Sequence, residues 1–249
     1  MWDMKSFSLF AAAVAMVCVC EAASEAANSA RDAARQYGAA VRNCDMAWAV
    51  DSMYPPLRRT YADQLTSRTP EAEIARARRV QGLDRETVVE AKARMAANDK
   101  ALRAKYARMG EEMKQRGIEV ESYTVGDATA EYVVTPPMAA VSQVRRDTAG
   151  RVRAENIGTT KERSRIVVLP TTLVISAPAQ NGRRTRMERK SYIFAVRDEV
   201  ITDKSQPRGT VLNKWYFIDG KTDVNTLRTF FPDLPLYLRL PASGDRILP

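Results

Sequence analysis

The chain contains no histidine. That absence removes the commonest general base and the commonest zinc and copper ligand, and it excludes Ser-His-Asp and Cys-His catalysis. Close glycine spacing is also missing: of the eleven glycines, the nearest pair is Gly110 and Gly117. Neither G-x-G-x-x-G nor G-x-x-x-x-G-K-[ST] can be written with such spacing, so no glycine loop is present to cradle a nucleotide. Cysteine is scarce too, with Cys18, Cys20 and Cys44 the only three. If Cys18 and Cys20 depart with a leader segment, Cys44 is alone, no intramolecular disulfide forms, and stability must come from the core. Cys44 itself, between Asn43 and Asp45, reads as a small buried hydrophobe.

What is present is a chain of 249 residues, 45% hydrophobic, enough for an ordinary core in one large domain or two small ones. Lys5 precedes an apolar run from Phe7 to Cys20, with the small residues Ala22 and Ala23 after it. This is the pattern of a secretory signal peptide over residues 1–22, cut after Ala22 or after Ser24. The run falls short of the roughly 20 apolar residues that a membrane-crossing helix needs. Lipid attachment at Cys18 or Cys20 is the competing fate, disfavoured by the valine before each. The expected address is therefore secreted or periplasmic, with no transmembrane span once the leader is removed.

From residue 23 to Arg42 an Ala-rich polar stretch predicts a helix. Met46, Val50 and Met53 keep helical spacing until Tyr54-Pro55-Pro56 breaks it, and Leu57, Tyr61 and Leu65 then resume. Thr69 as N-cap, Pro70 at the first position and Gly82 as the stop predict a further helix. Asp84 is expected to cap a longer one ending at Gly117. Its stripe Val88, Met95, Leu102 and Met109 is expected to face the core, since Asn98, Lys105 and Glu112 between them deny a coiled-coil seam.

Beyond Gly117 the hydrophobic period changes to alternation. Strands are expected over 118–125, 129–135, 138–145, 165–176, 187–197 and 211–218. The 165–176 strand is apolar on both faces and should be central, with Pro170 imposing a bulge or sharp bend. A short helix over 222–231 precedes an extended tail in which Leu234, Leu236, Leu238 and Leu240 share a face. Residues 23–249 thus read as one α+β domain with a C-terminal extended tail.

This order, helices first and then an antiparallel meander whose last strand carries "KWYFIDG", resembles the NTF2-like (cystatin-like) α+β fold. The resemblance spans Ala23 to Gly220. It implies N-terminal helices packed on a strongly curved antiparallel sheet, a cone with a pocket at its mouth. None of the family's catalytic patterns can be laid on this sequence, and the His-dependent ones fail at once. The extra helix from Pro70 and the long helix after Asp84 depart from the compact pattern, so the resemblance carries no function.

On the last strand Trp215 and Phe217 face the helices, where Trp48, Tyr61 and the methionine stripe offer partners. The candidate ligand-binding residues are Trp48, Tyr61, Tyr192 and Trp215, with Phe194 beside Tyr192. The competing reading is that these rings are core filler. No catalytic residue, metal ligand or cofactor motif emerges. The carboxylates Glu111, Glu112, Glu119, Glu121, Asp127 and Glu131 read as solvated.

The net charge is +9. Residues 145–165 and 183–190 together hold eight of those nine charges, and both stretches are expected to be exposed connections between strands. Neither contains an aromatic residue on which a base could stack, which argues against nucleic acid. Exposed loops that keep the protein soluble, or that are attracted to anionic envelope lipid or polysaccharide, suit them better. The resulting expectation is a secreted non-catalytic binding or assembly module for a small apolar ligand or an envelope component. Its alternative is a small-molecule lyase or isomerase using a buried carboxylate and a tyrosine.

Overall fold

A computed structural model describes residues 24–67, 70–81, 87–134, 142–146, 152–156, 161–179, 182–201 and 214–249. The expected leader with Cys18 and Cys20 lies outside the described residues, as do Thr69, Gly82, Asp84 and residues 211–213.

Helix α1 spans Glu25–Arg42 and starts where Ser24 accepts the Ala27 N–H; Glu25 and Arg42 suit its dipole at either end. It ends in a Schellman turn: Asp45 N–H donates to Ala40 O and Cys44 N–H to Val41 O. That turn places Cys44 at φ 55°, a left-handed conformation glycine would adopt without strain. The thiol is buried, as the residue type suggests.

The Tyr54-Pro55-Pro56 break is real. Helix α2 covers Met46–Asp51 and α3 covers Pro55–Thr66, with Tyr54 extended at ψ 123° as its following proline demands. The resulting linker docks on the sheet rather than simply bending the chain. Helix α4 runs Pro70–Val80 and α5 runs Val88–Gln115. Thr87, not Asp84, is the α5 N-cap, in a capping box with Glu90.

The expected stripe on α5 is only partly core. Leu102 is buried against Val50 and Ala62, whereas Met95 and Met109 are 39% and 38% exposed. Asn98, whose polarity argued against a coiled-coil seam, is nevertheless buried, with its amide donating to Asp63. Beside it Arg58 of α3 binds Asp51 of α2 and Asp99 of α5, and Arg103 reaches Asp51 as well. Burial works against the Arg58 charge, but the two carboxylates outweigh it and hold its pKa above the ordinary value. A polar clamp thus ties α2, α3 and α5.

The strands are β1 Glu119–Val125, β2 Ala130–Val134, β3 Ser142–Arg146, β4 Val152–Asn156, β5 Lys161–Pro178, β6 Arg184–Ile201, β7 Tyr216–Asp219 and β8 Gly244–Leu248, with helix α6 Val224–Phe230 before the last. β3 and β4 pair only with each other. The remaining six form an open antiparallel sheet: β1 and β2 lie end to end along one edge of β5, β6 along the other, and β7 and β8 along the far side of β6. The class is α+β, helices with an antiparallel sheet.

Pro170 does not interrupt β5. Its register with β6 runs unbroken from Lys161↔Ile201 to Pro178↔Arg184. The proline sits opposite the gap between β1 and β2, and its carbonyl takes a bond from Gly126 there. No ladder donor is needed on that side, so the missing N–H costs nothing. The irregularity falls instead on β1, between Val120 and Ser122.

Both faces of the sheet centre are covered. On one face Val167, Leu169, Ile193, Ala195, Trp215 and Phe217 meet Ala27, Ala30 and Ala34, whose small side chains let α1 lie close. On the other, Ile166, Val168, Phe194, Val196 and Ile218 meet Tyr54, Leu57, Leu227, Phe231 and Leu234. This explains why β5 and β6 are apolar on both sides. Trp215 is 5% exposed, but its partners are the α1 alanines rather than the methionine stripe.

The tail differs from expectation. Leu234 is buried while Leu236 is 78% exposed, so the four leucines share no covered face. Proline at 235 and 241 breaks any ladder there, and Arg228 holds the carbonyls of Pro235 and Leu236 instead. Only at β8 does the tail become a strand, along residues 186–190 of β6.

Arg183 to Lys190 is likewise not a loop of free charge, because residues 184–190 lie inside β6. Arg184 pairs with Glu119 at 3.3 Å, Arg186 with Glu121 at 2.7 Å, and Arg189 with Asp245 at 2.7 Å. Asp245 stands directly opposite Arg189 across the β6–β8 pair, while Arg184 and Arg186 reach over β5 to the β1 carboxylates. No helix among the described residues is long and apolar enough to cross a membrane.

Helix α5 meets the α1–α2 turn at Gly110, where a Cβ would stand 2.2 Å from the Cys44 carbonyl oxygen. Backbone cannot yield there as a flexible side chain could. Gly110→Ala is expected to destabilise the fold by about 1–3 kcal/mol in urea titration, while the exposed neighbour Arg108→Ala stays within about 0.5 kcal/mol.

Candidate functional site

The candidate site lies where α1, the α2–α3 layer, α5 and the end of β7 converge. Tyr37 comes from the last part of α1, Met53 and Tyr61 from either side of the proline break, Tyr106 from α5, and Phe217 and Asp219 from β7. Together with Lys221 in the following turn they line a cleft of about 290 Å³. A smaller recess of about 140 Å³ adjoins it, shares Tyr37, Asp219 and Lys221, and is closed by Tyr123 and Tyr192.

Local structure explains how each side chain arrives. Residues 52–54 bond to the free edge of β7: Phe217 N–H donates to Ser52 O at 2.8 Å, and Tyr54 N–H to Phe217 O at 3.1 Å. That bridge brings α2 and α3 against β7 and sets Met53 and Tyr61 across from Phe217. Tyr37 precedes Gly38, where a Cβ would fall 2.2 Å from the Tyr123 ring, so α1 is seated directly on β1 at this point. Gly220 N–H donates to Tyr192 O at 2.9 Å, closing β7 onto β6. The Asp219 carboxylate accepts the Lys221 N–H at 2.8 Å, an Asx turn that fixes it at the strand end.

The rings pack about Tyr37. Its centroid lies 5.0 Å from Phe217, 6.2 Å from Tyr123 in an edge-on arrangement, and 6.5 Å from Trp48. These are ordinary distances for mutually attractive aromatics. The hydroxyls of Tyr37, Tyr61, Tyr106 and Tyr192 take no hydrogen-bond partner among the described residues.

Electrostatics keep the phenols protonated. Burial, then the field of Asp219 and the neighbouring Tyr106, push the Tyr37 phenol up to about 12. Tyr106 is raised by burial, Tyr61 and Asp219. Tyr123 is raised by burial, Tyr37 and Asp219, against an opposing hydrogen bond with Thr171. Tyr192 is raised by burial and by Asp219. One carboxylate therefore acts on four phenols from different elements.

The residues named from sequence do not share one pocket. Tyr61 lines the cleft and Tyr192 the adjoining recess. Trp48 and Trp215 line a separate groove of about 580 Å³ beside Asn28, Asp32 and Lys214. Trp215 is also already engaged: its indole N–H donates to Ser29 at 3.0 Å, and the Arg197 guanidinium lies 4.7 Å above its ring. Sequence reasoning did not name Tyr37, Tyr106, Asp219 or Lys221 as candidates. The available signal was Tyr37 as the only aromatic residue in an otherwise Ala-rich polar helix.

The raised phenols give a pH dependence with a definite sign. Between pH 10 and about 12 the folded chain keeps the Tyr37 proton that the unfolded chain has released, so this contribution to stability is complete below pH 10 and is lost as pH rises towards about 12. Urea midpoints measured from pH 9 to 12 are expected to fall more steeply for the native chain than for Tyr37→Phe. Equal slopes would show that Tyr37 ionises as an ordinary exposed phenol.

The chain matches no protein-family model, no curated protein and no solved structure.

Proposed function

We propose that this protein is a non-catalytic binding module that holds a small molecule in the cleft between Tyr37, Tyr61, Tyr106 and Asp219. The observation carrying this reading is the convergence of unpartnered phenol hydroxyls and a carboxylate on one cleft, contributed by elements distant in the sequence. None of these oxygens is a buried atom without a partner, so the groups face water in an open cleft, where a ligand's polar groups can take the place of that water. The volume, about 290 Å³, lies at the small end of ligand pockets and suits a compact molecule.

The lyase or isomerase alternative finds less support. It needs a desolvated carboxylate beside a tyrosine, and Asp219 is exposed. Phenols raised above their ordinary range also lack the phenolate form that a tyrosine base would use near neutral pH.

We infer further that the chain is an exported relative of the NTF2-like cones. The apolar run from Phe7 to Cys20 supports export, and the order of helices before an antiparallel sheet, with α1 laid on one face, supports the fold relationship. Pairing of Arg184, Arg186 and Arg189 weighs against a compact phosphate site on β6, and with it against nucleic acid.

Native mass spectrometry of protein purified from its own source tests the central reading. A retained small molecule is expected, and Thr222→Trp, which puts an indole at the cleft, should abolish it. A bare protein, or a bound mass indifferent to Thr222→Trp, would remove the cleft as the binding site.

A further inference from the structure

Resting on the reading of the cleft as a ligand site, we infer that its occupant is a small organic cation, an alkylammonium group held among the rings of Tyr37, Tyr61, Tyr106 and Phe217 with Asp219 as counter-charge.

The lining selects for this chemistry. Aromatic rings carry negative potential on their faces and attract cations, most effectively where water is partly excluded. The chain already uses this attraction twice on its own side chains, with Arg197 over Trp215 and Lys214 at 5.1 Å from the Tyr216 centroid. In the cleft the rings are present, and no side-chain cation of the described residues is set over them.

Asp219 supplies the second element. Its carboxylate accepts the Lys221 backbone N–H, and it forms no ion pair among the described residues. Other well-placed carboxylates of the sheet do form them: Glu119, Glu121, Glu131, Glu188 and Asp245 each face an arginine.

Lys221 lines the cleft as well, but it makes no ion pair with Asp219 among the described residues. The field of Asp219 reaches Tyr37, Tyr106, Tyr123 and Tyr192, and also Arg189, whose guanidinium is already held by Asp245 through two hydrogen bonds. Asp219 is the acidic residue of the cleft lining. An anionic ligand would meet Asp219, and a neutral apolar one would leave the carboxylate without a counter-charge. A cation with an apolar body satisfies the rings and the carboxylate together.

Calorimetric titration at fixed ionic strength with choline, and with its neutral isostere 3,3-dimethyl-1-butanol, distinguishes the possibilities. Choline is expected to bind saturably and at least about tenfold more tightly than the alcohol. Asp219→Asn keeps an oxygen to accept the Lys221 N–H, so it should preserve the melting temperature while weakening choline by about tenfold. Tyr106→Leu should weaken choline, and Tyr106→Phe, which retains the ring, should not.

Equal affinity for choline and the alcohol would overturn the cation and leave the cleft as a binding site. So would a choline affinity unchanged in Asp219→Asn. Absence of choline binding, with another molecule retained in native mass spectrometry and lost in Thr222→Trp, would also overturn the cation alone. Failure of both experiments would remove the binding reading as well.

Discussion

The contact on which the rest depends is the pair of backbone hydrogen bonds joining residues 52–54 to Phe217. They convert a chain break into a joint between the helices and the sheet. Tyr54 is extended because Pro55 follows it, and an extended residue can offer its N–H to a strand edge as a helical one cannot. The same joint covers the outer edge of β7, which would otherwise stand open to other chains. The cleft is the space left between the elements that this joint brings together.

Close approach on the opposite side completes the arrangement. Ala27, Ala30, Ala34 and Gly38 form a seam of small residues along α1, and the helix lies directly on β5, β6 and β1. A larger side chain in the seam would lift the helix and carry Tyr37 away from Phe217. Position in the cleft is thus set by what α1 lacks as much as by what it carries. The Arg58 clamp acts in the same way among α2, α3 and α5, where charge neutralisation fixes the helices that hold Tyr61 and Tyr106.

The basic character of the chain has a different meaning in the fold than in the composition. Arginines that look like a run of unbalanced charge at 183–190 alternate across β6 and meet acids from β1 and β8, two strands far from them in sequence. Such exposed pairs contribute modestly to stability. Their effect is on the surface potential, which is much less positive along β6 than its sequence suggests. Asp219 stands out against this background because it has no such partner among the described residues.

Much of the fold was legible because local physics decides it. Helix caps, the Pro55-Pro56 break, alternation after Gly117 and double-sided apolarity of the central strand each depend on residues close in sequence, and each led to the right type of element. The bulge expected at Pro170 is absent because a missing donor matters only where a partner strand runs, and there β1 and β2 leave a gap. Neither the buried Asn98 nor the exposed Met95 could be read from periodicity, since burial on α5 depends on which helices pack against it. The site was the least legible part. Tyr61 and Tyr192 could be named as aromatic candidates, but a tyrosine in an Ala-rich helix and an aspartate in a turn acquire a common meaning only when long-range pairing sets them together. The amino-acid sequence by itself determined element types and excluded whole classes of chemistry, because a chain cannot use side chains or loop spacings it does not have. The tertiary structure alone decided which rings share a cleft and which carboxylate faces them, because those distances arise from strand register and helix docking between distant segments.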